Sequence, residues 1–370
     1  MNELRVMCLS KRWEHHTASG GYDRLAGYVG TEVVHRRKAR ASILWRIPRR
    51  LWRLCSDSKP YLVDYRYEDW LAEMYVLGRS RWDRPDVVHV LYGDEQLDLL
   101  LRRRRLLSCP LVATFHLPAH RVRERFEVAQ KHLLSGIDLA VVVSRTQLPA
   151  FREWLGEDRV VYVPHGINTD RFCPGEPATD RRCVRLLTVG IHMRDWEAID
   201  EIINLCNGRN LDVRFDFVVP EVVGLQTPKG LSHSAQYRNV HVHSRIPEEQ
   251  LIQLYRQADA LLLPVLDATA TNAGLEALAC GTPVISTRIG GMEDYVDDSC
   301  GWLFEPGEVR RIVELINDIC NKPEVVSSRR SAARNRALGF SWDAVARRLR
   351  VAYDAVARHR NLEVVHAERG

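Results

Sequence analysis

The chain has 370 residues, more than one ordinary domain holds and enough for two. Its hydrophobic share of 45% and charged share of 27% are those of a globular protein and exclude a disordered or fibrous one. The net charge of +5 is unevenly spread: residues 1–170 carry 28 Lys+Arg against 21 Asp+Glu, so an anionic surface or substrate is expected of the first half. Nine cysteines are scattered without a CxxC pair, which gives no support to a zinc or disulfide framework and suits a reducing cytosol. The opening "MNELRVMCLSKRW" reads as a strand between charges rather than a signal peptide, and no run of about 18 apolar residues is present to cross a bilayer. A cytoplasmic location is the expectation.

Apolar runs of strand length alternate with amphipathic segments of helix length. Strands are expected at 4–10, 87–92, 111–116, 139–144 and 160–165. A Pro- and Gly-rich break follows, "HGINTDRFCPGEPATDRR" (165–182), and strands resume at 184–190, 213–219, 240–244, 260–265, 282–287 and 301–304. Continuous β-branched runs suit parallel strands covered on both faces, and strand–helix alternation makes each half a doubly wound α/β unit of Rossmann type. The expected organisation is a first domain over 1–167, a linker over 168–182, a second domain over 183–340, a final helix over 341–359 and a polar tail over 360–370. Such sheets bind ligands at the carboxyl ends of their strands.

One stretch carries most of the chemistry: "LPVLDATATNAGLEALACGTPVISTRIGG" (263–291). A helix opening on Thr271, Asn272, Ala273 and Gly274 presents unpaired backbone N–H groups and the positive end of its dipole, which suits a diphosphate. Glu276 lies one turn further in. A buried carboxylate needs donors: two vicinal ribose hydroxyls supply them, or else an arginine beside the helix does.

The run "GLEALACGTPVISTRIGGMEDYV" resembles the donor-site signature of the family-four retaining glycosyltransferases of GT-B fold. "SGGYDRLAGYV" (19–29), "VVVSRTQLPAFREWLGEDRVVYVPHGINTDRF" (141–172) and "IPEEQLIQLYRQADALLLPV" (246–265) are similar to that family's segments in the same order. The resemblance implies two Rossmann-like domains facing across a cleft, with the diphosphate at the Thr271–Gly274 helix and the ribose on Glu276. It implies a sugar nucleotide as co-substrate, no further cofactor and no metal. Where the family has a second Glu contacting the transferred sugar, this chain has Ala268, with Asp267 beside it to take over. Where the family grips the diphosphate with Arg and Lys, the segment reads "VGIHMRDWEAI"; Arg194 is assigned that role, with His192 as the other cation. Arg245 and Ile246 stand where relatives hold the nucleobase.

Gly20 and Gly21 follow the first strand and form either an ordinary turn or a loop whose amides approach the donor phosphate or the acceptor. His116 ends a strand, as a structural hydrogen-bonded residue or, by resemblance, as a contact to the transferred sugar. Asp94 and Glu95 either orient an acceptor hydroxyl or cap the next helix. Asp297 and Asp298 read as a solvated loop rather than a metal motif. The tract "HRRKARASILWRIPRRLWRL" (35–54) interleaves eight Lys or Arg with apolar residues and contains no acid. Its Trp45, Arg46, Arg49, Trp52 and Arg53 suit a helix lying on an anionic membrane, or one packed on its own domain with a solvated basic face. No recognition motif supports nucleic acid.

The expected activity is transfer of a sugar from a nucleotide-diphosphate sugar to a glycan, lipid-linked or small-molecule acceptor, with retention of anomeric configuration. A degenerate sugar-nucleotide binder, or a GT-B epimerase or hydrolase, is the alternative.

Overall fold

The computed structural model describes residues 4–12, 19–30, 32–35, 65–127, 131–176, 183–219 and 234–358. They divide into two compact units. One holds the described residues from Gly21 to Gly166, those before Gly20's loop, and the chain from Trp342; the other holds Ile167–Ser341 together with Ser19 and Gly20.

The first unit is a six-stranded sheet in the order β2-β1-β3-β4-β5-β6, with every neighbouring pair parallel. Its strands are β1 (Val6–Ser10), β2 (Glu32–His35), β3 (Val87–Val90), β4 (Leu111–Phe115), β5 (Leu139–Val142) and β6 (Val160–Tyr162). Strands β1, β3, β4, β5 and β6 are buried along their whole lengths, as covered parallel strands must be. The edge strand β2 was not expected: it has four residues, only Val34 is buried, and it runs straight into the basic tract. The helix Tyr67–Asp83 packs its Trp70, Leu71, Ala72 and Val76 into this core.

The second unit is also an all-parallel six-stranded sheet, ordered β12-β11-β10-β7-β8-β9. Its strands are β7 (Val184–Val189), β8 (Val213–Val218), β9 (Val240–His243), β10 (Ala260–Leu263), β11 (Val284–Thr287) and β12 (Gly301–Phe304). Counted within the unit, the order is 3-2-1-4-5-6 reversed, the arrangement in which ligands sit where the winding changes direction. Here that point lies between β7 and β10.

Two expected boundaries move. The segment after Ile167 is not a free linker as far as it is described. Phe172 is fully buried in the second unit's core, and Arg334 Nη1 donates to the carbonyls of Thr169, Phe172 and Ala279. A Pro- and Gly-rich composition hid that one aromatic anchor. The final helix, expected as a separate segment that ends the fold, is Trp342–Ala357 and groups with the first unit. Its Tyr353 hydroxyl lies 2.5 Å from Nδ1 of His89 in β3, whose Nε2 meets Thr114 Oγ1 at 2.8 Å. Burial drives His89 down to about 3, so this clamp is a neutral hydrogen-bonded chain. Residues 168–176 are thus part of the second unit, while 177–182 and 359–370 lie outside the described residues.

Candidate active site

The carboxyl ends of β7 and β10 meet at the switch point of the second unit. Beyond Val189 the chain turns through Gly190 (φ 78°) and Met193 (φ 55°), so that Arg194 folds back under the strand it has just left. The loop is pinned across the switch point: Asp195 N donates to Pro264 O, Leu266 N donates to Met193 O, and Arg194 and Val265 form an isolated antiparallel bridge. Nε and Nη2 of Arg194 donate to Val189 O at 3.2 and 2.7 Å, and Nη1 donates to His192 O at 2.9 Å. Three of five N–H groups are therefore spent on backbone, and one hydrogen remains on each Nη. The guanidinium is buried, which lowers it to about 10 and leaves it a cation at neutral pH. His192, the other assigned cation, is exposed.

Beyond β10 lies the helix Asn272–Ala279, capped by Thr271, whose Oγ1 accepts from Gly274 N at 3.1 Å. A Cβ on Gly274 would stand 2.6 Å from that oxygen. The cap itself thus leaves no room for a side chain at position 274 unless Thr271 shifts. The amides of Asn272 and Ala273 make no hydrogen bond among the described residues, so the dipole's positive end is open.

Glu276 is 4% exposed, and burial raises it to about 8. Its one hydrogen-bond donor among the described residues is Tyr255, whose hydroxyl meets Oε2 at 2.8 Å. No arginine pairs with it among the described residues, so the alternative of a structural ion pair is not what is found. Sequence reasoning missed Tyr255; its only signal was a tyrosine among apolar positions of the helix Glu248–Gln257.

Asp267 is half-buried, and its Oδ1 accepts from Ala268 N at 2.8 Å. Gly290 (φ 56°) passes so close that a Cβ there would lie 2.9 Å from Asp267 Oδ1 and 2.1 Å from Ala268 O. Arg245 is exposed with a left-handed backbone (φ 52°), and Ile246 packs against the second unit's core. Asp297 Oδ1 accepts from the backbone and hydroxyl of Ser299, which makes it a loop staple. No cluster of metal-ligating residues is found among the described residues.

The glycine loop is split between the units. Ser19 donates from N and Oγ to Glu248 at 2.7 and 2.9 Å, which ties it and Gly20 to the second unit. Gly21 (φ 94°) opens the tight turn Tyr22–Leu25 in a conformation that side chains avoid.

In the first unit, His116 follows β4. Its Nε2 donates to Leu91 O at 2.8 Å and its backbone N donates to Asp94 Oδ2 at 2.5 Å. The ring stands edge-on to Tyr22 at 4.5 Å and tilted to Tyr92 at 5.0 Å. Asp94 caps no helix. It accepts from His116 and Leu117 instead; its Oδ1 is buried without a hydrogen-bond partner among the described residues, and burial raises the carboxyl to about 7. Glu95 is taken up by Lys11, whose Nζ lies 2.9 Å from Oε2 and which is itself buried directly beyond β1. The tract holding Trp45, Arg46, Arg49, Trp52 and Arg53 lies outside the described residues.

Two family profiles match. "Glycosyltransferase Family 4" covers residues 3–171 and "Glycosyl transferases group 1" covers residues 214–336. The chain is 29% identical over 306 residues to a D-inositol 3-phosphate glycosyltransferase of Geodermatophilus obscurus, covering 74% of this chain and 67% of that protein. It is 25% identical over 298 residues to an MMP alpha-(1->4)-mannosyltransferase of Mycolicibacterium hassiacum, covering 74% and 71%. With a Frankia alni relative of the first name, 30% identical, the match spans about half of each chain. Among solved structures, sucrose-phosphate synthase of Thermosynechococcus elongatus superimposes with a TM-score of 0.73 at 17% identity, over 96% of this chain and 100% of that one. Anabaena HepE, solved with UDP and glucose, gives 0.70 at 14% identity, over 95% and 100%. At these identities the structural likeness speaks for the fold.

Proposed function

Because the chain belongs to the family-four, group 1 glycosyltransferases, enzymes that move a sugar from a nucleotide donor, we propose that the switch point of its second unit is the donor site and that transfer proceeds with retention. The carrying observation is the constellation there: a fixed buried cation at Arg194, open amides at Asn272 and Ala273, and the buried carboxylate of Glu276 with a single donor. Diphosphate charge grows as the sugar leaves, and Arg194 and the helix terminus are preorganised to meet it. Thr271, Gly274 and His192 are assigned to the diphosphate side, and Arg245 and Ile246 to the base. Asp267 is assigned to the transferred sugar, as is His116 of the first unit, and Gly20 and Gly21 to the phosphate or acceptor.

Asp94 acts through His116, whose backbone it holds, and Glu95 acts together with Lys11. No metal is assigned to the reaction. The deciding experiment is product analysis: nucleoside diphosphate is released only in step with an acceptor glycosylated in the donor's anomeric configuration. Release without acceptor indicates a hydrolase, and binding without release a degenerate binder.

A membrane-borne acceptor, with the protein peripheral on a cytoplasmic membrane face, is favoured by the basic tract and by a second feature of the first unit. Trp82 is 84% exposed and Leu106 56% exposed, and they precede the adjacent strands β3 and β4. Arg81, Arg84, Arg103 and Arg105, around them in sequence, are exposed and make no ion pair among the described residues. No described helix is long and apolar enough to cross a membrane.

A further inference from the structure

We infer that Tyr255 makes the donor site selective for ribonucleotides over 2′-deoxyribonucleotides, by holding Glu276 in the one orientation from which its carboxylate accepts both vicinal hydroxyls. The inference rests on the donor-site reading above. Tyr255 stands in the last turn of the helix Glu248–Gln257 and is fully buried. Its ring meets Phe172 edge-on at 6.4 Å, and its carbonyl accepts from Thr282 Oγ1 at 2.6 Å. The hydroxyl is thus carried on a rigid support and aimed at Glu276 Oε2, 2.8 Å away.

A glutamate has three rotatable side-chain bonds, and this one has no second donor among the described residues to fix it. One phenolic hydrogen bond sets the plane of the carboxyl, which burial keeps largely protonated at neutral pH without ligand; two donating hydroxyls favour the ionised form, whose Oε1 and remaining Oε2 lone pair accept from them. A ribose brings two hydroxyls and completes the set. A 2′-deoxyribose brings one and leaves a buried acceptor uncompensated, the asymmetry by which polar sites reject analogues lacking a hydroxyl. Burial drives the Tyr255 phenol far up, so it remains a donor across the working range. Tyr255 touches Glu276 rather than the reacting atoms and is a positioning residue.

The test is calorimetry of UDP and GDP, each against its 2′-deoxy counterpart, on wild type, Tyr255→Phe, Glu276→Asp and Glu276→Gln. Wild type should prefer the ribonucleotide about tenfold or more, the worth of one unpaired buried polar group. Tyr255→Phe keeps the ring and should reduce the preference to about threefold or less, chiefly by weakening the ribonucleotide. Glu276→Asp withdraws the carboxylate from the hydroxyl and should do the same, which keeps the question open to test if the phenylalanine variant folds poorly. A preference that survives in Tyr255→Phe but is lost in Glu276→Gln, or equal weakening of both nucleotides in Tyr255→Phe, would overturn the inference and leave the donor site standing. A preference untouched in every variant would overturn the ribose role of Glu276. If wild type binds neither nucleotide, the donor-site reading fails and the inference with it.

Discussion

Replacing Arg194 with alanine should slow transfer far more than it loosens the donor. The guanidinium is buried and directed by three hydrogen bonds to the carbonyls of Val189 and His192, so its reorganisation is complete before the reaction begins. Its remaining hydrogens face a charge that grows only as the glycosidic bond breaks, and an interaction strengthened in the transition state appears in kcat. Loss of one such preorganised donor costs about 10²–10³ in rate, roughly 2.7–4 kcal/mol. The same substitution strips donors from the strand-end carbonyl of Val189 and the turn carbonyl of His192, and an unmet buried polar group costs about 1–3 kcal/mol of stability. Thermal unfolding must therefore accompany the kinetics. Arg194→Lys separates the two effects: it keeps the charge but cannot form the planar fork to both carbonyls, so kcat should fall between wild type and alanine. Steady-state kinetics with calorimetric donor affinities decide the matter. A rise confined to KM, with kcat intact, would show that Arg194 only tethers the ground state.

Glu276→Gln should weaken binding of the free nucleoside diphosphate by about tenfold, the worth of a mismatched buried hydrogen bond, and unchanged calorimetric affinity would refute the assignment. The same carboxyl makes ligand-free stability depend on pH. It titrates near 4.5 when unfolded and about 8 when folded, so between those values the unfolded chain holds fewer protons, stability falls as pH rises, and urea titrations of Glu276→Gln across that window should show a shallower fall. Gly274→Ala drives a Cβ to 2.6 Å from the capping Thr271 Oγ1 and should cost about 0.5–2 kcal/mol, the worth of an N-cap, read as a lower midpoint in thermal unfolding. Wild-type protein should float with phosphatidylserine vesicles at low salt, less at high salt, and less again as Arg46→Glu/Arg49→Glu/Arg53→Glu; protein that stays soluble at low salt would favour a soluble acceptor.

Eleven of the twelve strands were legible, nine of them as largely buried apolar runs, and the edge strands β9 and β12 from their strand-forming residues although little of either is buried. Strand β2 was not, since its two valines stand between a glutamate and the basic tract, too short an apolar run to read as a strand. The last helix could be placed in length but not in partner. What assigns it to the first unit is Tyr353 reaching His89, a contact 264 residues apart that no local pattern encodes. At the site, burial of Glu276 could be read from its apolar neighbours, whereas its donor could not, because Tyr255 arrives from another helix 21 residues earlier. Asp94 was read as a helix cap or acceptor ligand from its place after a strand. Its hold on the His116 backbone follows from the β3–β4 register, which sequence does not print.

Calorimetry of wild type and Glu276→Gln across UDP-, GDP- and ADP-sugars tests the central claim most directly. One nucleotide class should bind wild type, stabilising it by about 2.7 kcal/mol when present at 100 times its dissociation constant, and should bind Glu276→Gln markedly more weakly. Failure of every nucleotide sugar to bind wild type, or binding indifferent to Glu276, would contradict a donor site at the β7–β10 switch point.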